Sequence, residues 1–98
     1  MAVPEKRLSD AQRRNRAVRR RALADALIVA RREAGMTQTE LAEAAGLSRS
    51  AIARLETAAA GIASDSLWDI CVALQIRPSA FFLLAEADED VAETLGDV

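Results

Sequence analysis

The chain has 98 residues, one Cys, no His and a formal net charge of −2. That length supports one small domain burying roughly 60–65% of its unfolded surface, which leaves little room for a catalytic cavity. A single Cys excludes an intramolecular disulfide, and the absence of His removes the commonest general base together with the commonest metal ligand. No metal, cofactor or catalytic residue is therefore expected. No apolar run approaches the ~18–20 residues of a membrane span, so no membrane partner is expected and a cytoplasmic location is.

The charge is strongly polarised. Residues 1–32 carry ten basic residues against three acids, a net +7, and residues 33–98 carry three basic residues against twelve acids, a net −9. Nucleic acid responds to the field near a face rather than to the sum over the chain, so an overall acidic balance does not exclude it.

Residues 1–8 lack periodicity and contain Pro4, and they read as a loose arm. Ser9 with Gln12 has the form of a capping box, and nothing breaks a helix from there to Ala34. Only the second half of that helix has an apolar stripe, at Leu23, Leu27, Ala30 and Ala34. Its first half is nearly all Arg, with little to bury, and is expected to fray or to order on a partner. Residues 1–21 thus form a basic arm and helix extension ahead of a domain at 22–85.

Gly35 ends the first helix, and Thr37 with Glu40 makes a second capping box. Leu41, Ala42 and Ala45 should face inward, Gly46 supplies a turn, and Ser48 caps a third helix whose buried side is Ile52 and Leu55. Residues 57–60 hold no helix breaker, so this helix can run on to Gly61. Ser64 caps a fourth helix with Leu67, Ile70, Cys71 and Leu74 inside. Pro78 opens a short fifth helix containing Phe81, Phe82 and Leu84. Residues 86–98 contain six acids and no base, and they read as a mobile acidic tail able to engage a protein partner. The expected fold is all-α, a compact five-helix domain with an extended first helix and a helix-turn-helix at helices two and three.

Residues 35–56 carry the chemistry: two short helices about a glycine turn, the second with small and basic side chains outward. A helix with side chains fits the major groove, about 12 Å wide. Arg49, Ser50, Ala53 and Arg54 are the outward positions and the expected base contacts. Arg suits guanine O6 and N7, Ser donates or accepts, and the Ala methyl can meet a thymine methyl. Gln38 opens helix two, where free backbone N–H groups and the positive dipole end favour a phosphate. Thr37 and Ser48 are placed with it, as are Arg13, Arg16, Arg20 and Arg31 from the first helix. Trp68, Phe82, Leu83 and Leu84 exceed what one small core needs and read as a homodimer contact, or else as packing at the rim of the core. Cys71 reads as a small buried hydrophobe.

Gly35, Thr37-Gln38, Glu40-Leu41-Ala42, Gly46-Leu47-Ser48, Ile52, Leu55-Glu56, Leu67, Leu74 and Phe81 together resemble the phage-repressor (Cro-like, XRE) helix-turn-helix family over residues 23–84. The resemblance implies a sequence-specific transcriptional regulator of the kind found in bacteria and phages. It implies a dimer on a palindromic operator, Gln38 on phosphate, base reading by Arg49, Ser50 and Arg54, and a structural Glu56 bracing the end of helix three. A protein-binding role of antitoxin type, with DNA binding secondary, is the other reading it allows. This chain departs from the family after Glu56. The family there has Asn or Gly, then a Lys or Arg and often Pro, whereas residues 57–63 hold neither cation nor Pro. The Arg-rich extension is the expected substitute, along the phosphates or in a minor groove; the other reading is a solubilising helix or an intramolecular partner of the acidic tail.

Overall fold

The computed structural model describes residues 7–96, all of whose regular structure is helical. Six helices follow one another: α1 (Asp10–Glu33), α2 (Gln38–Ala45), α3 (Arg49–Glu56), α4 (Ser64–Leu74), α5 (Pro78–Glu86) and α6 (Glu89–Thr94). At 1.5 Å per residue the 24 residues of α1 span about 36 Å, which accounts for the 38 Å long axis of the molecule.

Both capping boxes are present. Ser9 Oγ accepts from the Gln12 N–H at 3.1 Å and Gln12 Oε1 accepts from the Ser9 N–H at 2.8 Å. Thr37 and Glu40 repeat the arrangement at 3.0 and 2.9 Å. The Thr37 N–H first and the Thr37 side chain second hold the Glu40 carboxyl below its ordinary pKa. Gly46 ends α2 with φ 72°, and the Leu47 N–H returns to the Ala42 carbonyl at 2.9 Å. A left-handed residue there reverses the chain within one step, which sets the angle between α2 and α3.

Leu27, Leu41, Ile52, Ile70, Cys71 and Phe81 are the largest fully buried side chains, one or more from each of α1 to α5. Ala22, Ala24, Ala26 and Ala30 make the inner face of α1 nearly smooth, so neighbouring helices can approach it closely. The C-terminal half of α1 is the central strut, in contact with α3 and α5.

The structure departs from the sequence expectations in six places. Among the described residues there are six helices rather than five: residues 89–94 of the acidic segment form α6, which docks on α1 and buries Val91. The Arg-rich half of α1 is accordingly continuous helix, because α6 gives it something to pack against. In the arm, Leu8 is buried, and residues 1–6 lie outside the described residues. Helix α3 stops at Glu56 instead of running to Gly61. Ala58 takes φ 61°, and the Ala59 N–H bonds the Arg54 carbonyl at 2.9 Å, which is a Schellman closure. Ser64 is the first residue of α4 rather than its cap, which is Ala63, and Ala34 is exposed rather than part of the inner stripe.

Candidate nucleic-acid interface

Helix α3 is eight residues long and amphipathic. Ile52 and Leu55 anchor it to the core, while Arg49, Ser50 and Arg54 are exposed and Ala53 is half-buried. Arg49 and Ser50 occupy its first turn and Arg54 follows one turn later. Ser48 caps the helix, its Oγ accepting from the Ala51 N–H at 3.0 Å, and Thr37 caps α2 in the same manner. Both caps stand at the exposed N-terminal ends of the two helices, where unpaired N–H groups can meet an anion.

The C-terminal end of α3 is held by a buried polar cluster. Glu56 is only 5% exposed. Arg31 Nε donates to Glu56 Oε2 at 2.6 Å and Arg31 Nη2 to Glu56 Oε1 at 3.0 Å, while Nη1 donates to the Met36 carbonyl at 2.8 Å. Gln38 Nε2 adds a bond to Glu56 Oε1 at 3.2 Å. The cluster joins α1, the α1–α2 turn, α2 and α3. It raises the Arg31 pKa, chiefly through the hydrogen bond to Glu56. Arg31, expected on a phosphate, is engaged in a forked pair with Glu56, and its side chain is 12% exposed. Gln38 is half-buried and has its amide nitrogen on Glu56, so it joins the brace as well as opening α2.

The remaining arginines of α1 separate by flank. Arg16 and Arg20 line a groove with Leu23, Ala24, Leu55, Ala60, Gly61 and Ile62, directly beside the α3–α4 loop. A Cβ on Gly61 would stand 3.7 Å from Arg20 Nε. Arg21 Nη2 donates to the Thr57 carbonyl at 3.1 Å. Thus cations from α1 stand where the loop itself supplies none. Arg13 bonds the Leu8 carbonyl at 2.8 Å and pairs with Asp10 one turn away. Arg19 turns to the other flank and bonds Thr94. The roles of Arg19 and Arg21 are invisible in the linear pattern, because each is set by a partner 36 or more residues away.

A helix-turn-helix family model matches residues 27–81, more than half of the chain. Two solved structures of the clp gene regulator ClgR from Corynebacterium glutamicum superpose well. The first has a TM-score of 0.68 at 32% identity, covering 70% of this chain and 90% of that one. The second has a TM-score of 0.67 at 32% identity, covering 79% and 89%. The chain belongs to the XRE-type helix-turn-helix family. It is a DNA-binding transcriptional regulator, not an enzyme. No curated protein matches it significantly.

The regulator also displays apolar side chains away from α3. Trp68 is 62% exposed, Val72 73% and Leu83 67%, and Phe82, Leu84 and Val29 are each two-fifths exposed or more. Trp68 and Val72 are four residues apart and share one face of α4. Phe82 stands edge-on to the buried Phe81, ring centroids 6.1 Å apart. Val72 and Val29 were not singled out by the sequence, although the i, i+4 spacing from Trp68 marks the first of them. Among the described residues no single helix is long and apolar enough to cross a membrane.

Proposed function

We propose that this regulator binds a palindromic operator as a homodimer, with α3 of each copy in the major groove, and acts in the cytoplasm as a repressor or autoregulator. Arg49, Ser50, Ala53 and Arg54 read base edges. Thr37, Gln38 and Ser48 meet phosphates at the starts of α2 and α3, and Arg13, Arg16 and Arg20 extend the phosphate contacts beyond the loop. Trp68, Phe82, Leu83 and Leu84 supply the dimer contact. The carrying observation is that α3 presents two exposed arginines on a face whose opposite side is buried and whose end is fixed by Glu56.

The likeness to ClgR, itself described as a gene regulator, supports a role in transcription. The exposed area at Trp68, Val72 and Leu83 supports self-association, since large apolar side chains in number on one small domain mark interaction surfaces. In the expected dimer the two α3 helices stand about 34 Å apart, one turn of DNA. Sedimentation equilibrium at tens of micromolar, on the wild type and on Leu83→Asp, tests this part. A wild-type dimer that becomes monomeric in the variant supports it. A wild-type monomer overturns it and favours a protein partner on the same face.

A further inference from the structure

We propose that α6 positions the arginine row of α1 for DNA: the two segments order each other, so the acidic C-terminal helix raises affinity for an anionic ligand. The inference rests on the reading above, in which Arg13, Arg16 and Arg20 touch phosphates.

Neither segment is stable alone. Residues 10–21 of α1 offer only Ala11, Ala17 and Val18 as apolar surface, and their six arginines repel one another. A six-residue helix such as α6 is far below the ~12–15 residues an isolated helix needs in water. Together they extend the hydrophobic core along the first half of α1. Val91 is 5% exposed and belongs to the core cluster, against which Val18 is partly buried. Arg19 Nε donates to Thr94 Oγ1 at 2.9 Å, and Arg19 Nη2 donates to the Thr94 carbonyl at the end of α6, where the helix dipole is negative. Thr94 Oγ1 in turn donates to the Val91 carbonyl at 2.7 Å. One arginine thus ties down the terminus of α6 while Val91 fills the space beneath it.

The flanks divide the work. Arg19 faces α6, whereas Arg16 and Arg20 lie over the groove beside Ala60, Gly61 and Ile62, next to α3. Docking α6 therefore occupies one arginine and leaves Arg16 and Arg20 on the α3 side. Fixing a helix in advance removes an ordering cost that DNA binding would otherwise carry.

Charge alone predicts the opposite of this proposal, which makes the test decisive. Val91→Lys in the full chain adds a positive charge and undocks α6. Binding is read by fluorescence anisotropy on duplex DNA from upstream of the gene, across a salt series, with hydrogen exchange at the amides of Arg13 to Arg20. The proposal expects affinity to fall about tenfold and the salt slope to become shallower by up to roughly 2.7, three contacts at ~0.9 each. Exchange protection in residues 13–20 falls with it. Thr94→Val, neutral and nearly isosteric, moves all three readings the same way by less, and serves if Val91→Lys does not fold. Unchanged or tighter binding by an undocked variant overturns the proposal, as does unchanged exchange protection. In a background with Arg13, Arg16 and Arg20 all changed to Ala, Val91→Lys should cost no further affinity, and a further tenfold loss there overturns it. If the triple alanine variant itself binds DNA like the wild type, the phosphate-contact reading fails and takes the proposal with it. If the triple variant weakens binding and Val91→Lys does not, only the role of α6 fails.

Discussion

Removing the carboxylate of Glu56 should destabilise the domain far more than breaking a surface ion pair. In Glu56→Ala the Arg31 guanidinium keeps its place, with only 12% of the side chain exposed, but has no anion to answer it. Two of its hydrogen bonds vanish, and Gln38 Nε2 loses its acceptor. Stripping one partner from a buried pair costs about 3–5 kcal/mol, against ~0–1 kcal/mol for an exposed one. For a domain of this size each kcal/mol shifts Tm by about 4–8 °C, so the melting point should drop by roughly 12 °C or more. Urea unfolding followed by far-UV circular dichroism gives the free energy, with an unchanged m-value expected. The double variant Arg31→Met with Glu56→Leu should recover part of the stability, because apolar isosteres remove the desolvation penalty of both charges while the Met36 carbonyl and the Gln38 amide stay without partners. A cost below ~1 kcal/mol for Glu56→Ala, at the surface-bridge level, would refute the claim that this cluster braces the end of α3.

Two further outcomes follow from backbone and burial. Ala58 holds φ 61°, where a Cβ is disfavoured, so Ala58→Gly should stabilise the fold by up to about 1 kcal/mol in the same urea assay, the relief of strain exceeding the added unfolded-state entropy. Burial pushes the Cys71 thiol pKa upward from 9.0, so the folded state holds its proton more firmly than the unfolded chain. Its contribution to stability is complete below pH 9.0 and lost as pH rises above that value, a decline that Cys71→Ala should remove from the pH–stability profile.

The helix-turn-helix was legible because its signals are local. Thr37 with Glu40, Gly46 and Ser48 each act within four residues, and the inward positions Leu41, Ala42, Ala45, Ile52 and Leu55 follow helical spacing. What the sequence hid was non-local. Arg31 resembles any other arginine of α1, and only the fold brings it to Glu56, 25 residues on. Helix α6 read as a charged tail because its single buried residue, Val91, sets no periodicity, and the partner of Thr94, Arg19, lies 75 residues earlier. The end of α3 was missed for a different reason. A run of alanines carries no stop signal, and the stop is made by backbone closure through a left-handed Ala58. That the same loop lacks cations is legible in the sequence; that Arg16, Arg20 and Arg21 lean over it is visible only in three dimensions.

The central claim, that α3 reads DNA sequence, is tested most directly by anisotropy titration of the wild type and of Arg49→Ala. The two duplexes are the sequence upstream of the gene and its scrambled counterpart, across a salt series. The account predicts tight binding to the upstream duplex alone, a steep fall with salt, and a loss of about 1–3 kcal/mol on that duplex for the variant with little change on scrambled DNA. Equal, weak binding of both duplexes by the wild type, indifferent to Arg49, would contradict it.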